Sequence, residues 1–262
     1  MTSYTGGKGA PGIYQTIINQ MPPHRVYVEA FLGAGSVLRH KRPAESTIGI
    51  ERDGHVLRDL WRGDEVPGLE LIEADAIRWL RARRWRGDEL VYADPPYLMQ
   101  TRRDQDGYYR HELSTADHRR LLKVLKALPV PVLVSGYWSE LYACELQGWR
   151  SISFTAYTRR GQPATEWLWM NFPEPQALHD YQHLGRTFRE REKLTRQRRR
   201  WRARLARMST LQRRALLWAI QETSQGASPD VAIRTTPPEM TMGAPLAESS
   251  DAAGGTGRLS DA

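Results

Sequence analysis

The sequence predicts an α/β fold, a seven-stranded, mostly parallel sheet with helices on both faces and a basic helical extension at the C-terminus. Short apolar runs alternate with helical stretches up to about residue 175, which is typical of parallel strands joined by helices. The last two apolar runs follow each other without room for a helix, and arginine concentrates beyond residue 186. We therefore predict a domain over residues 1–175, a basic helical extension over residues 178–225 and a disordered tail over residues 226–262.

The apolar runs have the length of buried strands, and helical stretches separate most of them. The predicted strands are Val26–Phe31, Thr47–Glu51, Leu69–Ala74, Leu90–Asp94, Val130–Ser135, Arg150–Ala156 and Glu166–Phe172. The predicted helices are Gly35–Lys41, His55–Trp61, Ala76–Arg84, Thr115–Leu128 and Ser139–Gln147. Because no helix fits between the last two strands, we expect them to form an antiparallel pair at one edge of the sheet.

The segment after residue 178 has a different pattern. An apolar stripe at helical spacing runs among arginines, formed by Leu194, Trp201, Leu205 and Met208. Ser209 followed by Gln212 is typical of a capping box that opens a second helix over Leu211–Glu222. From Gly226 onward the chain is rich in Gly, Ser, Thr, Pro and Ala without periodicity, which predicts disorder.

The positive charge is local. The whole chain has a formal net charge of +8, whereas Arg186–Arg214 contains thirteen Lys or Arg and two Glu, a local net of +11 that leaves about −3 for the remainder. A concentrated basic segment suits a polyanionic partner such as nucleic acid. The alternative is a solvated arginine-rich helix with no partner.

Several classes of protein are disfavoured by the sequence. No run of eighteen apolar residues exists, so no membrane span is predicted, and the N-terminus lacks the layout of a signal peptide. Cys144 is the only cysteine, which excludes an internal disulfide and a multi-cysteine zinc site. We expect a cytoplasmic protein, without a metal, that acts as a monomer.

Two motifs near the N-terminus are rich in glycine. Glu29-Ala30-Phe31-Leu32-Gly33-Ala34-Gly35-Ser36 lies where a strand turns into a helix, and its glycines let the backbone approach a nucleotide-like ligand. The next strand ends at Glu51, placed to accept hydrogen bonds from a ribose diol, although a simple turn and a surface carboxylate are the alternatives. Together they indicate an adenosine-containing ligand. The run Gly6-Gly7-Lys8-Gly9 lacks a following Ser or Thr, so it is not a phosphate-binding loop and by itself predicts a flexible terminus.

The strongest motif is Asp94-Pro95-Pro96-Tyr97, directly after the predicted strand that ends in Ala93. The two prolines fix an extended backbone without N–H donors, leaving the Asp94 carboxylate and the Pro95 carbonyl as acceptors. Acceptors that draw on the hydrogens of an exocyclic amine favour a pyramidal nitrogen that can attack a methyl sulfonium, and Tyr97 offers a face for a base rotated out of the helix. The alternative is a turn that ends a strand. The motif predicts methylation of a base amine.

In this order the motifs resemble the Dam-type (D12 class) DNA adenine-N6 methyltransferases, over about residues 4–172. The aromatic-x-Gly-Gly-Lys of that family is matched by Tyr4-Thr5-Gly6-Gly7-Lys8, its glycine turn by Phe31-Leu32-Gly33-Ala34-Gly35, and its acidic positions after the second and third strands by Glu51 and Asp75. Val132–Ser135 and Thr165–Asn171 resemble its later strands. The resemblance implies the class I methyltransferase fold, S-adenosylmethionine as the cofactor and a flipped-out adenine in DNA as the substrate, in the setting of site-specific DNA methylation or restriction–modification.

The resemblance also implies roles for individual residues. The expected catalytic residues are Asp94, Pro95, Pro96 and Tyr97. The expected cofactor residues are Tyr4, Lys8, Glu29, Phe31, Gly33, Gly35, Glu51 and Asp75. Such a reaction needs no metal and no covalent intermediate, and the place of Cys144 in a helical stretch away from the motifs disfavours a cytosine-C5 mechanism, which requires a thiol nucleophile.

One feature departs from the Dam-type pattern. Those enzymes have a large target-recognition region before the Asp-Pro-Pro-Tyr motif. Here the stretch between Asp53 and Asp94 is already filled by a helix, a strand and another helix. We expect Met99–Leu113 and the basic helices to contact nucleic acid instead, through Arg102, Arg103, Tyr108, Tyr109, Arg110, Arg198, Arg199 and Arg200. The alternatives are an RNA adenine-N6 or DNA cytosine-N4 methyltransferase, or a catalytically idle nucleic-acid-binding protein on the same fold.

Overall fold

The computed structural model describes residues 7–63, 66–102, 109–157 and 162–225. The strands are β1 Val26–Ala30, β2 Ser46–Glu51, β3 Leu69–Glu73, β4 Glu89–Ala93, β5 Val132–Tyr137, β6 Arg150–Tyr157 and β7 Pro163–Met170. The helices are α1 Ile13–Ile18, α2 Ser36–His40, α3 Gly54–Leu60, α4 Ala76–Ala82, α5 Thr115–Ala127, α6 Glu140–Glu145, α7 Phe188–Ala206 and α8 Thr210–Gln225. A short 3₁₀ turn, Met99–Thr101, follows the proline motif.

The seven strands form one sheet in the order β3-β2-β1-β4-β5-β7-β6. Strands β1 to β5 run parallel, whereas β7 pairs antiparallel with both β5 and β6. This is the class I methyltransferase sheet, and it confirms the predicted fold class together with the antiparallel pair at the edge. The strand order reverses between β1 and β4, the kind of position at which open α/β sheets bind ligands beyond the carboxyl ends of their strands.

The two faces of the sheet carry separate apolar cores, because successive side chains of a strand point to opposite faces. In β4, Val91 and Ala93 pack into one core with residues of α4, α5 and α6, while Leu90 and Tyr92 pack into the other with residues of α1 and α2. Strand β4 is buried throughout. A central strand covered on both faces gives the rigid support from which the proline motif emerges.

The strand and helix boundaries largely follow the sequence patterns, with three differences. Strand β5 begins and ends two residues later than predicted, because Pro131 lacks an N–H and Gly136 and Tyr137 pair with β7. Strand β7 begins three residues earlier than predicted, at Pro163, because residues 163–165 pair with β6. It ends at Met170, since the Asn171 side chain binds the backbone of Val130 and Val132. Helix α1 was not predicted, because its six residues are too few to show a helical period.

The chain forms two compact units, with the boundary after Ala206. The first unit contains the sheet and α7, and the second contains α8. No residue of α7 is buried, and Trp201 of the predicted apolar stripe is 45% exposed. In the second unit Ser209 and Gln212 exchange hydrogen bonds between side chain and backbone, which confirms the predicted capping box. The predicted disordered tail lies outside the described residues. Among the helices that the structure describes, none has the length and apolarity needed to cross a membrane.

Candidate active site

The proline motif lies at the point where the strand order reverses. Strands β1 and β4 pair in register, so that Ala30 and Ala93 end side by side, and the Asp94 N–H donates to the Ala30 carbonyl at 3.2 Å. Asp94 therefore begins its motif next to the glycine turn that follows β1. The predicted catalytic residues and the predicted glycine turn are thus brought to one edge of the sheet.

The Asp94 carboxylate is buried and has one charged partner. Its Oδ2 lies 2.8 Å from the Lys8 ammonium, whose side chain is 5% exposed. Its Oδ1 is buried and has no hydrogen-bond partner among the residues that the structure describes. An acceptor buried in this way normally costs about 1–3 kcal/mol, so it marks a place where a donor from outside the chain would be favourable.

Three neighbours hold the Tyr97 side chain. Its hydroxyl donates to Glu166 Oε2 at 2.9 Å, and its ring meets the Tyr137 ring edge-on with 4.7 Å between centroids. The Lys8 ammonium lies 4.8 Å from the centroid of the Tyr97 ring and 3.6 Å from a Glu166 carboxylate oxygen. Lys8, Asp94, Tyr97 and Glu166 thus form one buried polar cluster, referred to below as the tetrad cluster.

Burial and charge act against each other within this cluster. Burial alone would lower the pKa of Lys8, but attraction to Asp94 and then Glu166 outweighs burial and raises the pKa of the ammonium. Burial raises the pKa of Asp94 above its ordinary value, although Lys8 opposes this shift. The 2.8 Å contact favours the charged form of the Lys8–Asp94 pair.

The glycine turn adopts a backbone that most residues avoid. Phe31, Gly33 and Gly35 all have positive φ, of 61°, 49° and 58°. A Cβ on Gly35 would clash with the Trp61 ring, and the Trp61 indole N–H donates to the Gly33 carbonyl at 2.9 Å. Strain of this kind in Phe31 persists only where the surroundings enforce it, and it is common at ligand sites.

Acidic residues follow β2 and β3 at the same edge. Glu51 accepts the Gly33 N–H at 2.9 Å and the N–H groups of Arg52 and Asp53 at 2.8 and 2.9 Å, which fixes its carboxylate against the glycine turn. Asp75 caps α4 by accepting the Arg78 N–H. Both carboxylates retain acceptor capacity, so they could hold the hydroxyl and amine groups of an adenosine.

Glu29 faces the interior of the protein. The Tyr27 hydroxyl donates to its carboxylate at 2.7 Å, and burial raises the pKa of Glu29 to about 8. The raised pKa means that Glu29 is largely neutral at pH 7. Its role as a cofactor residue stays a prediction, as does that of Tyr4, which lies outside the described residues.

Some of the residues predicted to contact nucleic acid are exposed, whereas others are buried or paired within the protein. Arg102 forms a two-pronged ion pair with Glu112, at 2.8 and 2.7 Å, and its side chain is 7% exposed, so its charge is already paired within the protein. Arg110 is exposed and lies 3.7 Å from Asp53. Tyr109 interacts with Lys8 and Asp94, and burial raises its pKa to about 12. Arg198, Arg199 and Arg200 are exposed on α7, while Arg103 and Tyr108 lie outside the described residues.

The structure adds residues that the motifs did not indicate. Glu166 and Tyr137 face each other in the register of β5 and β7, and Trp61 supports the glycine turn from α3. A charged residue inside the otherwise apolar run of β7 was the available signal for Glu166. No comparable signal existed for Trp61 or Tyr137. Among the described residues, no group of three or more His, Cys, Asp or Glu could hold a metal ion.

Comparison with known proteins agrees with this description. Residues 79–156 match the family model described as D12 class N6 adenine-specific DNA methyltransferase, which confirms the resemblance over the part of the chain that contains the tetrad. A search of curated proteins finds no significant relative.

Solved structures with a similar fold are distant in sequence. They include the 23S rRNA methyltransferase ErmE, at 15% identity over 65% of this chain and 70% of that one, with a TM-score of 0.40. A Streptococcus mutans protein described as a methyltransferase, solved in complex with SAH, has 11% identity over 60% and 94%, with a TM-score of 0.41. Spermidine synthase from Thermotoga maritima has 13% identity over 63% and 61%, with a TM-score of 0.42. Similarity at this level says nothing about the substrate.

The sheet order is that of the class I methyltransferase fold, and residues 79–156 match a methyltransferase family model. Over the matched residues the chain's similarity is to the D12 class of adenine-specific DNA methyltransferases.

Proposed function

We propose that the protein is a site-specific DNA adenine-N6 methyltransferase that uses S-adenosylmethionine and acts on a flipped-out adenine. The observation that carries the proposal is Asp94, whose Oδ1 is buried without a hydrogen-bond donor among the described residues while Oδ2 binds Lys8. The exocyclic amine of adenine is a donor of the right kind. Its second hydrogen would go to the Pro95 carbonyl, because the two prolines leave acceptors and no donors at this turn.

The chain's own residues account for orientation and proton handling. Asp94 and Pro95 hold the amine so that its lone pair points away from them, and Tyr97 offers an aromatic ring to the base. A methylated amine nitrogen must lose a proton, and the raised pKa of Asp94 fits Oδ1 as the atom that receives it. No metal and no covalent enzyme intermediate is required.

The proposed cofactor fits the neighbouring residues. S-adenosylmethionine, when bound, supplies a methyl group on a positively charged sulfur. The tetrad cluster has an excess of one carboxylate over its single ammonium, which favours a cation nearby. The strained glycine turn lets the backbone come close to a ligand. The carboxylates of Glu51 and Asp75, which follow β2 and β3, could accept hydrogen bonds from a ribose and an adenine amine.

The choice of DNA rests on the family match and on the basic segment. The matched family acts on adenine in DNA, and Arg186–Arg214 has a net charge of +11 that suits a phosphate backbone. The test is to incubate the protein with labelled cofactor and separate pools of duplex DNA, single-stranded DNA and RNA, and then to hydrolyse each pool to nucleosides. Label in N6-methyladenosine from RNA, or in N4-methylcytosine, would replace the proposal with the corresponding alternative.

Replacing Asp94 tests the catalytic assignment. We expect Asp94→Ala to lower the methylation rate by roughly a hundredfold or more, the usual scale for losing a positioned electrostatic group. Cofactor affinity, measured by calorimetry, should change far less. Asp59→Ala, which removes an exposed carboxylate from α3, is the matched control and should keep full activity. An Asp94→Ala protein with wild-type rates would refute the assignment, and a wild type that binds cofactor but methylates no pool would indicate an idle binding protein.

A further inference from the structure

Glu166 is the one member of the tetrad cluster that lies on the antiparallel pair of strands β6 and β7. Resting on the proposed function, we propose that Glu166 is a positioning residue for methyl transfer. It holds the Tyr97 ring for the target base, and it retains the Lys8 ammonium when the target amine approaches Asp94.

The sheet places Glu166 at the reaction edge. Strand β7 runs antiparallel to β5, and its register sets Glu166 opposite Tyr137, whose ring contacts Tyr97. Glu166 is only 8% exposed, and a buried carboxylate is costly unless it is paired and hydrogen-bonded. The partners of Glu166 in the structure are the Tyr97 hydroxyl at 2.9 Å and the Lys8 ammonium at 3.6 Å, so both contacts are with members of the tetrad cluster.

The contact with Tyr97 restricts a side chain that has to be in place before the base arrives. A tyrosine ring turns about two side-chain bonds, and a hydrogen bond to the hydroxyl limits the swing about the Cα–Cβ bond. Because the hydroxyl oxygen lies on the Cβ–Cγ axis, rotation of the ring about that second bond is limited by its ring neighbours instead. The edge-on contact with Tyr137 limits the ring from a second side. With Glu166 removed, the buried hydroxyl would lose this acceptor and the ring would sample other orientations.

The contact of Glu166 with Lys8 gives the ammonium a second carboxylate partner. The ammonium binds Asp94 and lies over the Tyr97 ring, the same two groups that the proposed reaction assigns to the amine and the base. The Lys8 ammonium must therefore move away from Asp94 and the Tyr97 ring when adenine enters. Glu166 is a second carboxylate within 3.6 Å, so the ammonium can leave Asp94 without losing a counter-charge in a buried site.

Two substitutions separate these contacts. Glu166→Gln keeps an acceptor for the Tyr97 hydroxyl but removes the charge, whereas Glu166→Ala removes both. We expect kcat to fall roughly tenfold or more in Glu166→Ala, the scale of losing a charge-assisted hydrogen bond, and to recover partly in Glu166→Gln. The KM for DNA should stay raised in Glu166→Gln, because Lys8 then remains on Asp94. Cofactor affinity should change far less than kcat, and Glu145→Gln, at an exposed ion pair with Lys126, should behave as wild type.

A double-mutant cycle with Tyr97→Phe tests whether Glu166 acts through the hydroxyl. We expect the Glu166→Ala/Tyr97→Phe protein to have a kcat close to that of Glu166→Ala alone, because the two changes remove one interaction. A decrease in kcat equal to the product of the two single decreases would overturn the positioning role. So would wild-type kinetics in Glu166→Ala when Asp94→Ala is inactive, and in that case the proposed function would stand.

A readout independent of activity distinguishes failure of the inference from failure of the proposed function. In protein labelled with ¹³C at the tyrosine rings, the Tyr97 signal is identified by its disappearance in Tyr97→Phe. We expect this signal to shift and broaden in Glu166→Ala and to stay near its wild-type position in Glu166→Gln. An unchanged Tyr97 signal in Glu166→Ala would overturn the inference even if the wild type transferred no methyl group.

Discussion

At the scale of single residues, Glu29 links the stability of the protein to pH. Its carboxyl is buried beneath Tyr27 and has Lys41 and Asp94 as charged neighbours, and burial raises its pKa to about 8. In the unfolded chain Glu29 is ionised above its ordinary pKa of 4.5. Between these two pH values the folded protein binds one more proton at Glu29 than the unfolded chain does. The free energy of unfolding therefore falls as pH rises over this range, and the stabilisation that Glu29 provides at low pH is lost as pH rises through about 8.

Glu29→Gln is neutral at every pH and keeps an acceptor for the Tyr27 hydroxyl. We expect the wild type to lose up to about 1.4 kcal/mol of unfolding free energy for each pH unit between pH 7 and 8, relative to this variant. Urea denaturation of both proteins at several pH values measures the difference. Parallel stability curves for the two proteins would show that Glu29 does not carry the proton.

At the scale of elements, the glycine turn between β1 and α2 depends on what packs against it. Gly35 combines a positive φ of 58° with a Trp61 ring that leaves no room for a Cβ. We expect Gly35→Ala to lower the free energy of unfolding by about 2 kcal/mol or more, from backbone strain and overpacking together, and to weaken cofactor binding.

Gly148 provides a matched control for the turn. It also has a positive φ, of 85°, but a Cβ added there would meet nothing within 4 Å. Gly148→Ala should therefore show the backbone cost alone, about 1 kcal/mol, with cofactor affinity intact. Thermal unfolding and calorimetry compare the two variants, and equal destabilisation in both would mean that Trp61 does not restrict the turn.

The elements also differ in how well local sequence predicts them. Strands β1, β2 and β4 are apolar runs of the expected length, and later helices start at residues that cap, such as Asp75 and Ser139. The ends of β5 and β7 were less predictable, because they depend on pairing between strands that are distant in sequence. Helix α1 has no recognisable sequence pattern, because so short a helix gains its stability from packing rather than from its own periodicity.

At the scale of the whole molecule, charge is divided between a nearly neutral sheet domain and one strongly basic segment. Helix α7 has no fully buried residue, although Leu194 and Leu205 are half-buried, so packing accounts for part of its apolar stripe but not for its exposed arginines. We expect the replacement of Arg198, Arg199 and Arg200 by Gln to flatten the slope of log affinity for DNA against log salt by up to about 2.7, at about 0.9 for each phosphate that these arginines neutralise.

Fluorescence anisotropy at a series of salt concentrations measures this slope in the full-length protein. Cofactor affinity should remain unchanged, because every predicted cofactor residue lies upstream of α7. Arg119→Gln with Arg120→Gln, exposed arginines on α5, controls for the reduced net charge elsewhere on the surface. An undiminished slope in the α7 variant would show that this helix is a solvated face and does not touch DNA.

The sequence by itself determined the order of the strands and of the helices that follow β1, the antiparallel pair at the edge, and the glycine and proline motifs, because each depends on residues close together in the chain. The tertiary structure decided that Lys8, Asp94, Tyr97 and Glu166 meet in one buried cluster, that β7 inserts between β5 and β6, and that Trp61 supports the glycine turn. These contacts join distant parts of the chain. Their partners are selected by sheet register and burial, which no local pattern records.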